Sequence, residues 1–461
     1  MQTMLLWLPW VLRLLALGAV LALLLRAHRS ISSRSKPAGW VVAAGLAGRA
    51  VLAFSLFFVS YFDLPVLGQL HSGDGFWELA PDARLYYQEA LPGVDHGFWT
   101  IPAQAPSPAF VAALSAWMWL VGVSPASGAL LNIACYVLTC WLLVRILERD
   151  RTAVLVGVAA FSFSPSLVFF GSQSLKDGFF AAVVACVCAA AWRLLGSRPT
   201  VTPVRTTAVA SLVVLAGLYL VAGIRTYYAL FVWAALTAAS LGWAVGTGRK
   251  LMIRKLVVTA LIAALGWFTV ALGAGSRYDK LVNQVARPAS AEEKAPGAVA
   301  SNAVKAFDRA RAGFITSGGS TNVGGAKTIR GPVARLRALA SGCLLVFVPV
   351  TLLTAIGQVP FSGGRGLVAL ADLDTLFLDL SLVVVLTVVW RRWRGGQLAP
   401  WYALFIVLAA VPTALGLAYV VTNFGTLFRL RLMVSVPLWM LMLAVVRPER
   451  AEAPAGGVIR A

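Results

Sequence analysis

The sequence predicts an all-α fold, a polytopic transmembrane helical bundle of about eleven spans plus two re-entrant or juxtamembrane helices. Three observations carry that prediction. Hydrophobic residues fill 59% of the 461 positions and charged residues 12%, which is more apolar surface than one protein core can bury. The apolar residues fall into runs of spanning length, and about twenty such residues cross a hydrocarbon core of ~30 Å. Those runs lack the period-two alternation of a membrane β-barrel.

The runs lie at 4–25, 38–60, 126–147, 153–170, 178–195, 207–223, 229–246, 256–274, 374–390, 399–420 and 430–446. The segments 26–36, 145–151, 193–205, 249–255 and 391–394 are each rich in Arg or Lys, and the positive-inside bias makes each of them cytoplasmic. The first helix then enters from outside, and its basic cluster follows the apolar run instead of preceding it, so it is not a cleaved signal. Strict alternation leaves no place for 108–123 or 339–358 as full spans, so both are expected to be re-entrant or juxtamembrane. The chain divides into an extra span with a basic cytoplasmic loop (1–37), a transmembrane core (38–274) with an acidic first external loop (61–107), an external hydrophilic loop (275–338), C-terminal transmembrane helices (339–446) and a cytoplasmic tail (447–461). In the 275–338 loop, Lys305, Arg309 and Arg311 are spaced for a short amphipathic surface helix.

The five cysteines (Cys135, Cys140, Cys186, Cys188, Cys343) all fall within apolar stretches, so they read as small packing residues and not as a disulfide or zinc framework. High Ala, Val, Leu, Arg and Gly usage with few Lys points to a GC-rich bacterial genome. The expected location is the bacterial plasma membrane.

The chain carries a formal net charge of +21, yet between Tyr61 and Ser107 six carboxylates (Asp63, Asp74, Glu78, Asp82, Glu89, Asp95) meet a single arginine, Arg84. Carboxylates held at a membrane surface repel anionic lipid, so a plain linker has no use for them. Asp82 stands in Pro81-Asp82-Ala83-Arg84-Leu85-Tyr86-Tyr87, where a carboxylate at a dry interface can take a proton from a hydroxyl. The competing reading of Asp82 is a helix N-cap. Asp74, in Ser72-Gly73-Asp74-Gly75, is a turn residue by type, or else an assistant to Asp82 or a metal ligand.

Several cations lie on the external side against the bias: Lys176 in Ser174-Leu175-Lys176-Asp177, Arg225 in Ile224-Arg225-Thr226-Tyr227, and Arg429 and Arg431 after Asn423-Phe424-Gly425-Thr426. Cations fixed at a membrane boundary suit a phosphate or diphosphate head group, Arg above all through its planar donor fork. The plainer readings are lipid anchoring for the arginines and a local Lys176–Asp177 pair. Two further signals fail. The stretch Gly319–Thr328 resembles a phosphate loop but displaces its lysine, and His71 and His96 lack metal-ligand spacing. Within the spans, Arg13 and Arg49 stand out as intramembrane charges without an acidic partner on their own helices.

Taken in order, Asp82-x3-Tyr86 in the first external loop, Ser107-Pro108 opening an apolar helix that ends at Val121-Gly122, Ser164-Pro165-Ser166, Ser174-Leu175-Lys176-Asp177 and Ile224-Arg225-Thr226-Tyr227 resemble the GT-C superfamily of polytopic glycosyltransferases, which includes protein mannosyltransferases and aminoarabinose transferases. The likeness covers most of residues 38–230. The Asn423–Thr426 segment with Arg429 and Arg431 looks more like bacterial exopolysaccharide-type relatives. The resemblance implies a catalytic acid in the first external loop and a polyprenyl-phosphate-linked sugar as donor. It also implies a saccharide, lipid or protein acceptor. On that reading Asp82 is the base, Asp74 its assistant, and Lys176, Arg225, Arg429 and Arg431 the phosphate clamp, with Tyr86, Asn423 and Thr426 in support. No particular cofactor is implied, and a divalent cation is compatible with the chemistry. The expected partners are membrane lipids and the lipid-linked substrate, with no nucleic acid. The alternatives are a polysaccharide polymerase or ligase acting on lipid-diphosphate saccharides, or a transporter of a lipid-linked saccharide.

Overall fold

Inside a bilayer every backbone N–H and C=O must be satisfied within its own segment, so an apolar run bounded by charge becomes a helix. The computed structural model describes residues 2–66, 68, 70–147, 150–196, 204–246, 249–277, 305, 307–313, 331–355, 365–396, 398–422 and 424–445. The phosphate-loop-like stretch, the C-terminal tail and Asn423 lie outside the described residues, as does most of the 275–338 loop.

The helices are α1 (Gln2–Arg34), α2 (Lys36–Tyr61), α3 (Pro81–His96), α4 (Pro108–Val121), α5 (Ser127–Leu147), α6 (Arg151–Phe163), α7 (Pro165–Gly171), α8 (Asp177–Leu195), α9 (Val204–Ile224), α10 (Thr226–Val245) and α11 (Arg249–Ala274). Further along the chain come α12 (Pro332–Phe347), α13 (Val350–Ala355), α14 (Arg365–Arg394), α15 (Pro400–Val420), α16 (Phe424–Leu430) and α17 (Leu432–Met440). One antiparallel hairpin, β1 (His71–Gly73) with β2 (Phe76–Trp77), interrupts this all-α architecture. Among the described residues ten helices are long and apolar enough to cross a membrane, and α6 with α7 makes an eleventh span bent by 46°. The protein is therefore an all-α, multi-pass membrane bundle.

The basic cluster after the first span is not a loop. α1 runs helically to Arg34, and the chain breaks only at Ser35, whose hydroxyl caps α2 by accepting from Ala38 N at 3.4 Å. Long basic side chains reach the aqueous boundary without unwinding the helix. At the other basic end, Arg392 of α14 pairs with Asp150 at 2.8 Å and ties α14 to the start of α6. The 14-residue α4 is too short to span and buries Phe110, Val111, Leu114 and Met118. In the 339–358 segment, α12 stops at Val348-Pro349 before the short α13 begins. Residues 307–313 are helical, and Arg311 is buried with its guanidinium donating to the Tyr419 carbonyl, so this turn docks on α15.

The bend between α6 and α7 has a definite cause. Pro165 has no N–H to give the Phe161 carbonyl, and Ser166 N–H turns to Asp374 of α14 at 2.9 Å instead of to Ser162. Both released carbonyls accept from Arg49 of α2, Phe161 O at 2.6 Å and Ser162 O at 2.7 Å. The guanidinium also stacks on the Tyr136 ring at 4.0 Å. An arginine thus closes the C-terminal end of one half-helix and a carboxylate the N-terminal start of the next, the signs that suit the two dipoles. Arg49 needs no acidic partner because carbonyls satisfy it, and α14 adds Asp372, Asp374 and Asp379 to the charges within the spans.

Candidate functional site

The hairpin and α3 bring the acidic loop to the same end of the bundle as α7, the start of α8, the end of α9 and α16. Pro81 opens α3 in the first helical position, where its fixed φ and missing N–H cost nothing. Ala80 is the N-cap, so Asp82 falls in the first turn with its carboxylate not used in capping. It accepts from Arg429 Nη1 at 2.6 Å and remains 45% exposed, within reach of a reacting group. The same guanidinium donates through Nε to Asp177 Oδ2 at 2.6 Å, and Arg225 Nη2 donates to Asp177 Oδ1 at 2.6 Å. One buried carboxylate therefore aligns two arginines from different spans.

Local structure explains the placement. Asp177 is the first residue of α8, where the helix N-terminus favours negative charge. Arg225 is the single residue between α9 and α10 and lies over the Phe180 ring at 4.8 Å. The strand of chain before α8 is pinned by Asn132, which donates to the carbonyls of Gln173 (3.1 Å) and Leu175 (2.9 Å) and accepts from Phe179 N at 3.1 Å. A Cβ on Gly178 would meet Asn132 Oδ1 at 2.6 Å, so glycine is what lets the amide approach.

Lys176 does not close a local pair with Asp177. Its Nζ donates to Ser107 Oγ at 2.6 Å and stands 5.4 Å from the centre of the Tyr86 ring. Ser107 adopts a left-handed φ of 56° before Pro108 and in turn donates to the Ile224 carbonyl at 3.3 Å. Burial, followed by the neighbouring Arg225 and Arg429, pushes the Lys176 amine well below the ordinary lysine range. Burial also raises the Tyr86 phenol, against the pull of Arg429. Around these groups opens a cavity of about 730 Å³, lined by Glu78, Asp82, Lys176, Arg225, Arg277, Thr426 and Arg429 together with Tyr227 and apolar neighbours. Arg225 keeps Nε and Nη1, and Arg429 keeps Nη2, buried without a hydrogen-bond partner among the described residues. Buried donors of this kind can serve an anionic acceptor.

The structure thus brings together Asp82, Tyr86, Lys176, Arg225, Thr426 and Arg429 from the sequence reading. Two residues fall elsewhere. Asp74 sits at the hairpin tip with φ of 53°, as its turn chemistry suggests, and pairs with Arg84 at 3.4 Å. Arg431, buried to 1%, points away from the cavity and donates to Thr375 Oγ1 and the Leu345 carbonyl. Three residues escape the sequence reading as site members. Asp177 reads there as a local partner, Ser107 only as a helix entry, and Arg277 as one base among many at the start of the hydrophilic 275–338 segment. No three His, Cys, Asp or Glu side chains gather as a metal site among the described residues. In comparison with known proteins, no family model, no curated protein and no solved structure matches this chain.

Proposed function

We propose that the chain is a GT-C-like glycosyltransferase of a bacterial plasma membrane, moving a sugar from a polyprenyl-phosphate donor to an acceptor hydroxyl at the external face. The observation that supports this most is Arg429, shared between the accessible Asp82 and the buried Asp177 at 2.6 Å each, in a cavity walled by further cations. A base and an anion clamp are the two things glycosyl transfer from a lipid phosphate needs.

In this reading the donor phosphate occupies the orphaned donors of Arg225 and Arg429, with Lys176 beside it. The acceptor oxygen forms its bond to the anomeric carbon as the bond from that carbon to the phosphate oxygen breaks. Asp82 takes the acceptor proton, and the departing polyprenyl phosphate keeps the bonding electrons. The cations hold that added charge, and fixed donors in a dry cleft are worth more there than in water.

The test is transfer of labelled sugar from a polyprenyl-phosphate pool in membrane vesicles. Asp82→Asn is expected to lose about 100- to 10,000-fold in rate, the usual worth of a positioned base. Arg429→Ala is expected to lose about 100- to 1,000-fold. Arg429→Lys, which leaves a charge beside Asp177, guards against a mere folding failure. Loss with the Arg429 variants alone, at normal protein levels, moves the assignment to a polymerase or ligase of lipid-diphosphate saccharides. Unchanged transfer in all variants overturns the enzymatic reading in favour of transport.

A further inference from the structure

A second large cavity lies at the opposite end of the same helices. It is a trough of about 710 Å³ between α5, α8 and α9, with an apolar bed that includes Leu142, Ile146, Ala189, Ala190, Val209 and Val213. Three arginines close its aqueous end: Arg145 at the end of α5, Arg193 at the end of α8 and Arg205 at the start of α9. All three are exposed. Arg145 stacks over Trp141 at 5.3 Å, and Arg193 over Trp192 at 4.9 Å, an arrangement that holds a guanidinium at the membrane boundary.

The trough owes its depth to small residues, since Cys186, Ala189 and Ala190 form the α8 wall where larger side chains would fill it. α5 and α8 both run from the Asp177 end towards this one, and α9 returns, so the arginines sit on the face opposite the candidate site. By the charge bias that face is cytoplasmic.

We infer that this trough is a binding site for an anionic phospholipid of the cytoplasmic leaflet, the phosphate held by Arg145, Arg193 and Arg205 and an acyl chain laid along the apolar bed. A soluble anion would use the arginines but not the bed, and a neutral lipid the bed but not the arginines. The combination of both selects a charged lipid. The inference is independent of what the external site does.

The experiment uses the full chain, purified and delipidated, and titrated with phosphatidylglycerol, phosphatidylcholine or inorganic phosphate while native mass spectrometry counts bound molecules. Wild type is expected to retain phosphatidylglycerol in preference to phosphatidylcholine. The triple variant Arg145→Gln, Arg193→Gln, Arg205→Gln is expected to bind it at least about tenfold more weakly. Cys186→Phe, which fills the trough and leaves the charges, is expected to weaken binding as well. A thermal melt of each variant checks that it is folded. Equal phosphatidylglycerol binding by wild type and folded triple variant overturns the inference. So does displacement of the lipid by millimolar inorganic phosphate combined with full binding by Cys186→Phe, which would make this a soluble-anion site.

Discussion

Asp177 accepts from two guanidiniums at 2.6 Å each, and its side chain has no exposure to solvent. Lys176, one residue earlier, is held the opposite way. Burial and the cations Arg225 and Arg429 disfavour its ammonium form, while Asp177 and Asp82 favour it less strongly, so its amine lies well below the ordinary lysine range. Linkage sets the sign of the consequence. Between the depressed folded value and the ordinary one the unfolded chain binds more protons, so in that window stability rises with pH. Binding of a lipid phosphate does the reverse and draws a proton onto Lys176. Affinity for the phosphate donor is therefore expected to fall as pH rises through the depressed Lys176 value, and Lys176→Arg, always charged, to flatten that slope. Donor KM measured across pH decides it: identical profiles for the two proteins would remove Lys176 from the clamp. Lys176, Arg225 and Arg429 were legible in the sequence because cations at that end of a span run against the charge bias, and Asp82 because an acidic loop stands out in a basic chain. Asp177 was not, because a carboxylate beside a lysine offers a local explanation, and only the tertiary fold turns that lysine towards Ser107.

At the level of elements, the bent span rests on an exchange of partners. Arg49 holds the two carbonyls that Pro165 and Ser166 release, and Asp374 receives the Ser166 N–H. Arg49→Leu leaves both carbonyls buried and unpaired, at a cost on the order of 1–3 kcal/mol each. Pro165→Ala in that background returns an N–H to Phe161, so the double variant is expected to melt above Arg49→Leu in detergent. Simple additivity of the two substitutions would show that Arg49 does not serve the break. Hydropathy reads 153–170 as a continuous span, which is right in length and misses the bend, since apolar counts ignore where a proline withholds a donor. The same blindness hides Asp374, which opens the 374–390 run and so looks like its boundary, although it is buried to 4%.

Over the whole molecule the order of spans was the most legible property. Among the described residues, ten long apolar helices and one bent pair correspond to the eleven runs read from the sequence. The site gains from this, because segments far apart in the chain (82, 176–177, 225, 277 and 429) share one end of the bundle only if the intervening spans alternate. Orientation is a separate claim and has its own check. On intact cells expressing the chain, Asp95→Cys is expected to react with a membrane-impermeant maleimide, and Arg394→Cys only after permeabilisation. The opposite pattern would invert the bundle and place the acidic cavity in the cytoplasm. What hydropathy could not supply is which helix ends meet, because that depends on side-chain packing between segments separated by hundreds of residues.

The top of the final span carries two arginines two residues apart that serve different masters, Arg429 the cavity and Arg431 the buried polar groups of α12 and α14. Residues two apart on a helix point about 200° away from each other, so this one turn is gripped from both sides. Its length is thereby locked. Inserting or deleting a single residue between Leu427 and Leu432 rotates the downstream residues by about 100° and takes arginine and partners out of register. Substitutions along this segment can be absorbed one contact at a time, whereas a change of length cannot. The last span therefore acts as a ruler, and the distance between the outer cavity and the inner polar cluster is set by counting residues.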